Sequence, residues 1–265
     1  MGAGCNPVMP DLLNMNFRPW ALSIILLPCA TFSQQTEGEF PFDSMEFSRN
    51  RLFTMSTGRT MPAGKLSVAD FEFFLVQLGY APTEILQVNL SFLLPISKTI
   101  NYWSVGTKVQ VLPPSGFFRG LSIGADVGFF GEEDYFVPVH SNGSSSPPLV
   151  NVNVAASVGN DRATLHTSIS QLQWSTDYGR VVVPSYAQLG ADIVVSRPTE
   201  TSGLKLMSEL TWTQRLGSLN PAFMFVGLRT FSSTFTADFG WPFGFGDSGS
   251  FVPSQIPFFS FNFYL

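Results

Sequence analysis

The sequence predicts an all-β fold, an antiparallel transmembrane β-barrel of ten to twelve strands, on three observations. Hydrophobicity alternates with a period of two along most of the chain, the signature of strands with one apolar face. Only 12% of the 265 residues are charged while 45% are hydrophobic, about half the roughly 25% charge of an average soluble domain. No apolar run approaches the roughly 20 residues of a spanning helix, so the apolar content, including 27 Phe, is dispersed in strands.

Taken from the N-terminus, Trp20 to Leu27 is a short apolar run preceded by Arg18 and followed by small residues. That is the pattern of a secretory signal peptide covering residues 1–33, cleaved near Ser33. Its basic region begins sensibly at Met15, because residues 1–14 hold Pro10 and Asp11 and fit no leader. A lipoprotein reading of Leu26 to Cys29 is disfavoured by Pro28, which sits where a small residue is needed. Both cysteines, Cys5 and Cys29, lie in this leader, so neither a disulfide nor a cysteine metal ligand is expected in the mature chain. The net charge of −5 argues against nucleic acid as a partner.

Residues 34–60 are polar and aromatic with no clean period, and read as a periplasmic segment placed to cross or plug the barrel mouth. The barrel is expected over 61–265. Candidate strands cover 66–78, 84–94, 101–112, 118–130, 149–158, 162–173, 183–196, 203–213, 222–231, 234–241 and 256–265, with turn chemistry such as Pro113 to Gly116 and Gly159-Asn160 between them. A single-chain bacterial barrel has an even number of strands. The expected count is therefore twelve, the extra strand coming from Asn50 to Met55 or from Gly240 to Phe251, with ten as the alternative. Residues 131–148, with Glu132-Glu-Asp134 and Ser141 to Pro148, form the long polar loop expected on the extracellular side.

The chemistry of the two faces decides which meets lipid. Trp103, Val105, Val109 and Val111 oppose Ser104, Gly106, Lys108 and Gln110, while Leu204, Leu206, Leu210 and Trp212 oppose Lys205, Glu209 and Thr211. A soluble barrel would turn its apolar face inward and dress the outside with Lys and Glu. Here the polar face is Ser, Thr, Asn and Gly with single charges, which suits a crowded lumen. Asp70, Glu72, Lys108, Asp126, His166, Asp192, Lys205, Glu209, Arg229 and Asp238 are the expected lumen residues, able to pair across strands. Aromatic residues near strand ends, among them Tyr80, Tyr102, Trp103, Phe129 and Trp241, are consistent with interfacial girdles.

With its leader, its dyad strands and a last strand carrying Phe259, Phe261, Phe263 and Leu265 in phase, the chain resembles Gram-negative outer-membrane β-barrel proteins. Ser56 to Thr60, Gly79-Tyr80 before the first tight turn, Leu206 to Glu209 and Gly227 to Arg229 look like signposts of an uncharacterised group of these. The resemblance implies a location in the outer membrane, contact with its lipid, and recognition of the terminal strand by the assembly machinery. Leu265 stands where that class usually ends in Phe or Trp.

Catalytic readings are weaker. His166 with Ser168 and Ser170 could form a Ser–His pair, but His166 is expected to face inward rather than toward lipid. The acidic triplet at 132–134 is ordinarily just solvated, and no phosphate loop or zinc spacing is present. The expectation is therefore no enzyme and no cofactor. The barrel is read as a passive channel for small polar solutes or ions, or as a structural barrel with a filled lumen. The alternative is a binding or assembly barrel using the 131–148 loop, and a membrane-embedded lipid enzyme stands behind both. Arg59 is read as a structural residue at the periplasmic rim.

Overall fold

A computed structural model describes residues 47–72, 75–94, 101–131, 148–176, 179–182, 185–199, 202–215, 218–245, 251–253 and 257–265. The leader and most of the 131–148 loop, with its acidic triplet, lie outside the described residues. The strands are β1 (Leu66–Phe71), β2 (Leu75–Thr83), β3 (Leu86–Leu93), β4 (Asn101–Leu112), β5 (Phe118–Gly131), β6 (Leu149–Gly159), β7 (Ala163–Thr176), β8 (Gly179–Val182), β9 (Tyr186–Thr199), β10 (Ser202–Arg215), β11 (Ser218–Phe231), β12 (Phe235–Phe245), β13 (Phe251–Pro253) and β14 (Phe258–Tyr264). All pairings are antiparallel. β8 and β13 are short additions on β7 and β12, and the other twelve strands form a closed ring. The ring closes where β1 meets β14, with Ser67 opposite Tyr264 and Phe71 opposite Ser260. Closure removes every open edge, the condition a sheet must meet in lipid.

Alternation places the apolar face outside. Ile169 and Val195 are each 59% exposed, whereas Ser122, Ser157, Glu209, Thr236 and Ser260 are 0% exposed. Val105, Val109, Ile123, Val154, Leu206 and Leu228 also point out, and Ser104, Lys108, Gln110, Asn153, Lys205 and Arg229 point in. Polar inside and apolar outside is the reverse of a soluble barrel, and it identifies a transmembrane one.

The twelfth strand is not where the sequence placed it. The run 66–78 is two strands, β1 and β2, paired across Phe71 and Leu75. The reversal between them rests on Glu72, which takes the left-handed conformation at φ 54°. No Gly, Pro, Asn or Asp marks that turn, so the periodicity read straight through it. The first tight turn is therefore this one, and Gly79-Tyr80 precedes the second. Asn50 to Met55 is not a wall strand at all, and the described residues of the run from Gly240 to Phe251 belong to the end of β12 and the start of β13.

Asp70 and Glu72 need the matching correction, because neither lines the lumen. Ser67 and Ala69 are buried inward, and Phe71 continues that face by stacking under the Arg51 guanidinium, 4.1 Å from the ring centroid. Asp70 therefore shares the outward face of Leu66 and Val68, and Glu72 is exposed in the turn.

Candidate functional site: a lumen filled by the N-terminal segment

The inward side chains converge on one object, the stretch from a 3-10 turn at Phe47–Asn50 to Met61. Leu52, Phe53, Met55, Thr57, Thr60 and Met61 are at most 2% exposed, because this segment lies inside the barrel. Irregular backbone at membrane depth is tolerated only where protein satisfies its N–H and C=O groups. Wall side chains do so here, almost group by group.

Glu209 of β10 accepts hydrogen bonds from Thr54 N and Met55 N, both at 3.0 Å, from the Thr54 hydroxyl, and from Gln188 Nε2 at 3.1 Å. Arg229 of β11 forms a two-pronged pair with Asp238 of β12, Nε to Oδ1 at 2.6 Å and Nη2 to Oδ2 at 2.9 Å. It also donates to the carbonyls of Arg51 at 3.0 Å and Leu52 at 3.1 Å. Further round the wall, Lys108 Nζ donates to Asn50 O at 2.8 Å and Ser122 Oγ to Thr57 O at 2.9 Å. Gln110 Oε1 takes Thr60 N at 3.3 Å, and Gln87 Oε1 takes Met61 N at 3.1 Å. With Gly58 N, which donates to Ser157 Oγ, five amides and four carbonyls of the segment are held by wall side chains. Charge-assisted bonds such as those of Glu209 and Arg229 are about twice as strong as neutral ones.

Apolar contacts complete the seat. Leu52, Phe53 and Met55 pack with Met207 and Phe258, the two phenyl rings edge to face at 5.8 Å. Arg51 donates to Ser260 Oγ at 2.9 Å and lies 4.0 Å from Asp238.

A second chain of contacts runs Gly58 N to Ser157 Oγ at 2.8 Å, Ser157 Oγ to His166 Nδ1 at 2.7 Å, and His166 Nε2 to Asp192 Oδ2 at 2.8 Å. Lys205 Nζ holds the other Asp192 oxygen at 2.9 Å. The residue types are those of a Ser–His–Asp triad with the two ring nitrogens exchanged, and they involve Ser157, not Ser168 or Ser170. Ser168 instead donates to Gln188 at 3.0 Å. Ser157 is 0% exposed, and its hydroxyl is engaged by both Gly58 N and His166. A Cβ added to Gly58 would fall 2.0 Å from Gly120 O and 2.8 Å from Ser157 N, so the segment is pressed against the wall there. The arrangement ties the segment to β6, β7, β9 and β10.

Gly58→Ala is accordingly expected to unseat this stretch. Arg59, 6% exposed in a small cleft with Arg119, Thr164 and His166, should become a trypsin site in the variant while staying protected in the wild type. Equal protection would show that the close approach does not matter.

Beyond the segment, toward the Phe71 end of β1 and away from Leu265, a cavity of about 170 Å³ remains. Its floor includes Asn50, Phe53 and Thr54, and its wall includes Lys108, Asp126, Asn153 and Tyr186.

Of the residues read from sequence, Lys108, His166, Asp192, Lys205, Glu209, Arg229 and Asp238 are buried inside, and Asp126 is partly buried beside the cavity. Gln87, Gln110, Ser122 and Ser157, which hold the segment, did not stand out in the sequence. Their inward parity was visible there, but a neutral amide or hydroxyl in a polar stripe carries no sign of a partner.

Among solved structures, the chain is similar to the outer-membrane expressed OmpT of Vibrio cholerae, with 9% identity and a TM-score of 0.38, covering 84% of this chain and 73% of that one. It is also similar to in-vitro folded OmpT, an outer membrane protein of Vibrio cholerae in its trimer form, with 12% identity and a TM-score of 0.31. There the match covers 72% of this chain and 64% of the other, just under two thirds of its length. No family model matches the sequence, and no curated protein matches it.

Proposed function

We propose that this protein is an outer-membrane barrel with a filled lumen, closed to passive diffusion by its own N-terminal segment and not an enzyme. The observation that carries the reading is the satisfaction of nine backbone groups between Asn50 and Met61 by inward wall side chains. A segment merely resting at a barrel mouth would leave those groups to water. The outward apolar face fits the lipid of the outer membrane. The leader fits export, with signal removal near Ser33. The outward Phe259, Phe261 and Phe263 of β14 suit recognition by the assembly machinery.

The mature chain, residues 34–265, refolded in detergent and reconstituted in a planar bilayer, is expected to give no stepwise current. Heat-modifiable migration on a gel verifies that it is folded. Sustained discrete steps from the folded wild type would overturn the reading in favour of a passive channel for small polar solutes or ions.

A further inference from the structure

The cavity above the segment has a chemistry that structural filling does not explain. Asn153 is only 8% exposed, and its Oδ1 has no hydrogen-bond partner among the described residues, although its side chain lines the cavity. Buried amide oxygens are nearly always satisfied. The amide lies over Gly124 of the neighbouring strand, where a Cβ would come 2.7 Å from Nδ2. Glycine there makes the shelf on which Asn153 rests.

The rest of the lining is uncharged apart from Arg51, Lys108 and Asp126, and Arg51 is turned to Asp238 at 4.0 Å and to Ser260 at 2.9 Å. Asn89 and Gln188 present amides that are already oriented, the first by Gln87 at 2.8 Å, the second by Glu209 at 3.1 Å and Ser168 at 3.0 Å. Lys108 and Asp126 bring opposite charges. Phe53 and Tyr186 add aromatic surface. At about 170 Å³ the space is below the roughly 300–1,000 Å³ of pockets for drug-sized ligands, so its occupant is small.

Taken together, these features lead us to propose that the cavity binds a small, uncharged, polyhydroxylated solute of the monosaccharide class. Hydroxyl groups both donate and accept, as oriented amides require, and the C–H face of a sugar ring lies against aromatic surface. One hydroxyl donates to Asn153 Oδ1. The proposal rests on the filled-lumen reading, because the segment forms the floor of the site.

The test is calorimetric titration of the detergent-folded mature chain with D-glucose, D-galactose and, separately, D-glucuronate. A neutral hexose is expected to bind saturably in the millimolar range, and Asn153→Ala to weaken it at least about tenfold, or 1.4 kcal/mol. That variant removes an amide whose oxygen has no protein partner, so it should fold, and gel migration checks this. Absence of saturable binding by either neutral hexose overturns the proposal, as do undiminished affinity in Asn153→Ala and binding of glucuronate alone. Planar-bilayer current from the same preparation judges the filled lumen separately, so the two readings fail independently.

Discussion

A chain beginning at Ala63, lacking the segment that fills the lumen, is expected to conduct in discrete steps where the mature chain is silent. Twelve strands lie between the eight whose interior side chains close the bore and the sixteen that leave an aqueous channel, so the segment decides which case applies. Its removal strips the backbone partners from Glu209, Arg229, Lys108 and Ser122 and leaves charged and polar groups around a space that water can enter. Selectivity would follow the exposed inward charges, Asp192, Glu209 and Asp238 against Lys108, Lys205 and Arg229. Glu209→Ala is the milder version. It deletes the acceptor of the Thr54 and Met55 amides, bonds to a charged group of about 1.5–3 kcal/mol each, and should produce intermittent openings. Silence from the folded chain that begins at Ala63 would mean that wall side chains alone fill the bore.

Much of this fold was legible in the residues, for one physical reason. In a membrane barrel both solvents of a strand are fixed, lipid outside and a polar lumen inside, so chemistry and parity together assign every face. Thus β4, β5, β6 and β10 read correctly from alternation alone. The reading failed where local chemistry was silent. Glu72 takes a left-handed turn conformation without any of the usual turn residues, so β1 and β2 merged and Asp70 was carried to the wrong face. The lumen charges could be named, but not their partners. The carboxylate of Glu209 and the guanidinium of Arg229 look like pore-lining charges in the sequence. Only the fold shows them holding backbone more than 150 residues away. A segment with no period of its own, such as 47–61, takes its conformation from the groups that surround it, and period-based reading has nothing to say about such a segment.

Arg229→Met should be the most damaging single substitution in the lumen. Arg229 and Asp238 are 1% and 2% exposed, and removing one partner of a buried pair costs about 3–5 kcal/mol, here toward the lower end because Arg51 stays 4.0 Å from Asp238. The loss should appear as a lowered midpoint in urea unfolding followed by tryptophan fluorescence, since Trp103, Trp212 and Trp241 sit in the wall strands. The double variant Arg229→Met with Asp238→Leu separates the two tasks of this arginine. With both charges gone the wall no longer carries a carboxylate short of a partner, while Arg51 loses its 4.0 Å contact with Asp238 and keeps Ser260, so the unfolding midpoint should recover in part. The carbonyls of Arg51 and Leu52 would still lack their donor, so trypsin should still reach Arg59 faster than in the wild type. Recovery of both readouts in the double variant would show that the pair serves the wall alone. Recovery of the midpoint without recovery of protection would place the hold on the segment in the two hydrogen bonds that Arg229 makes beyond its salt bridge.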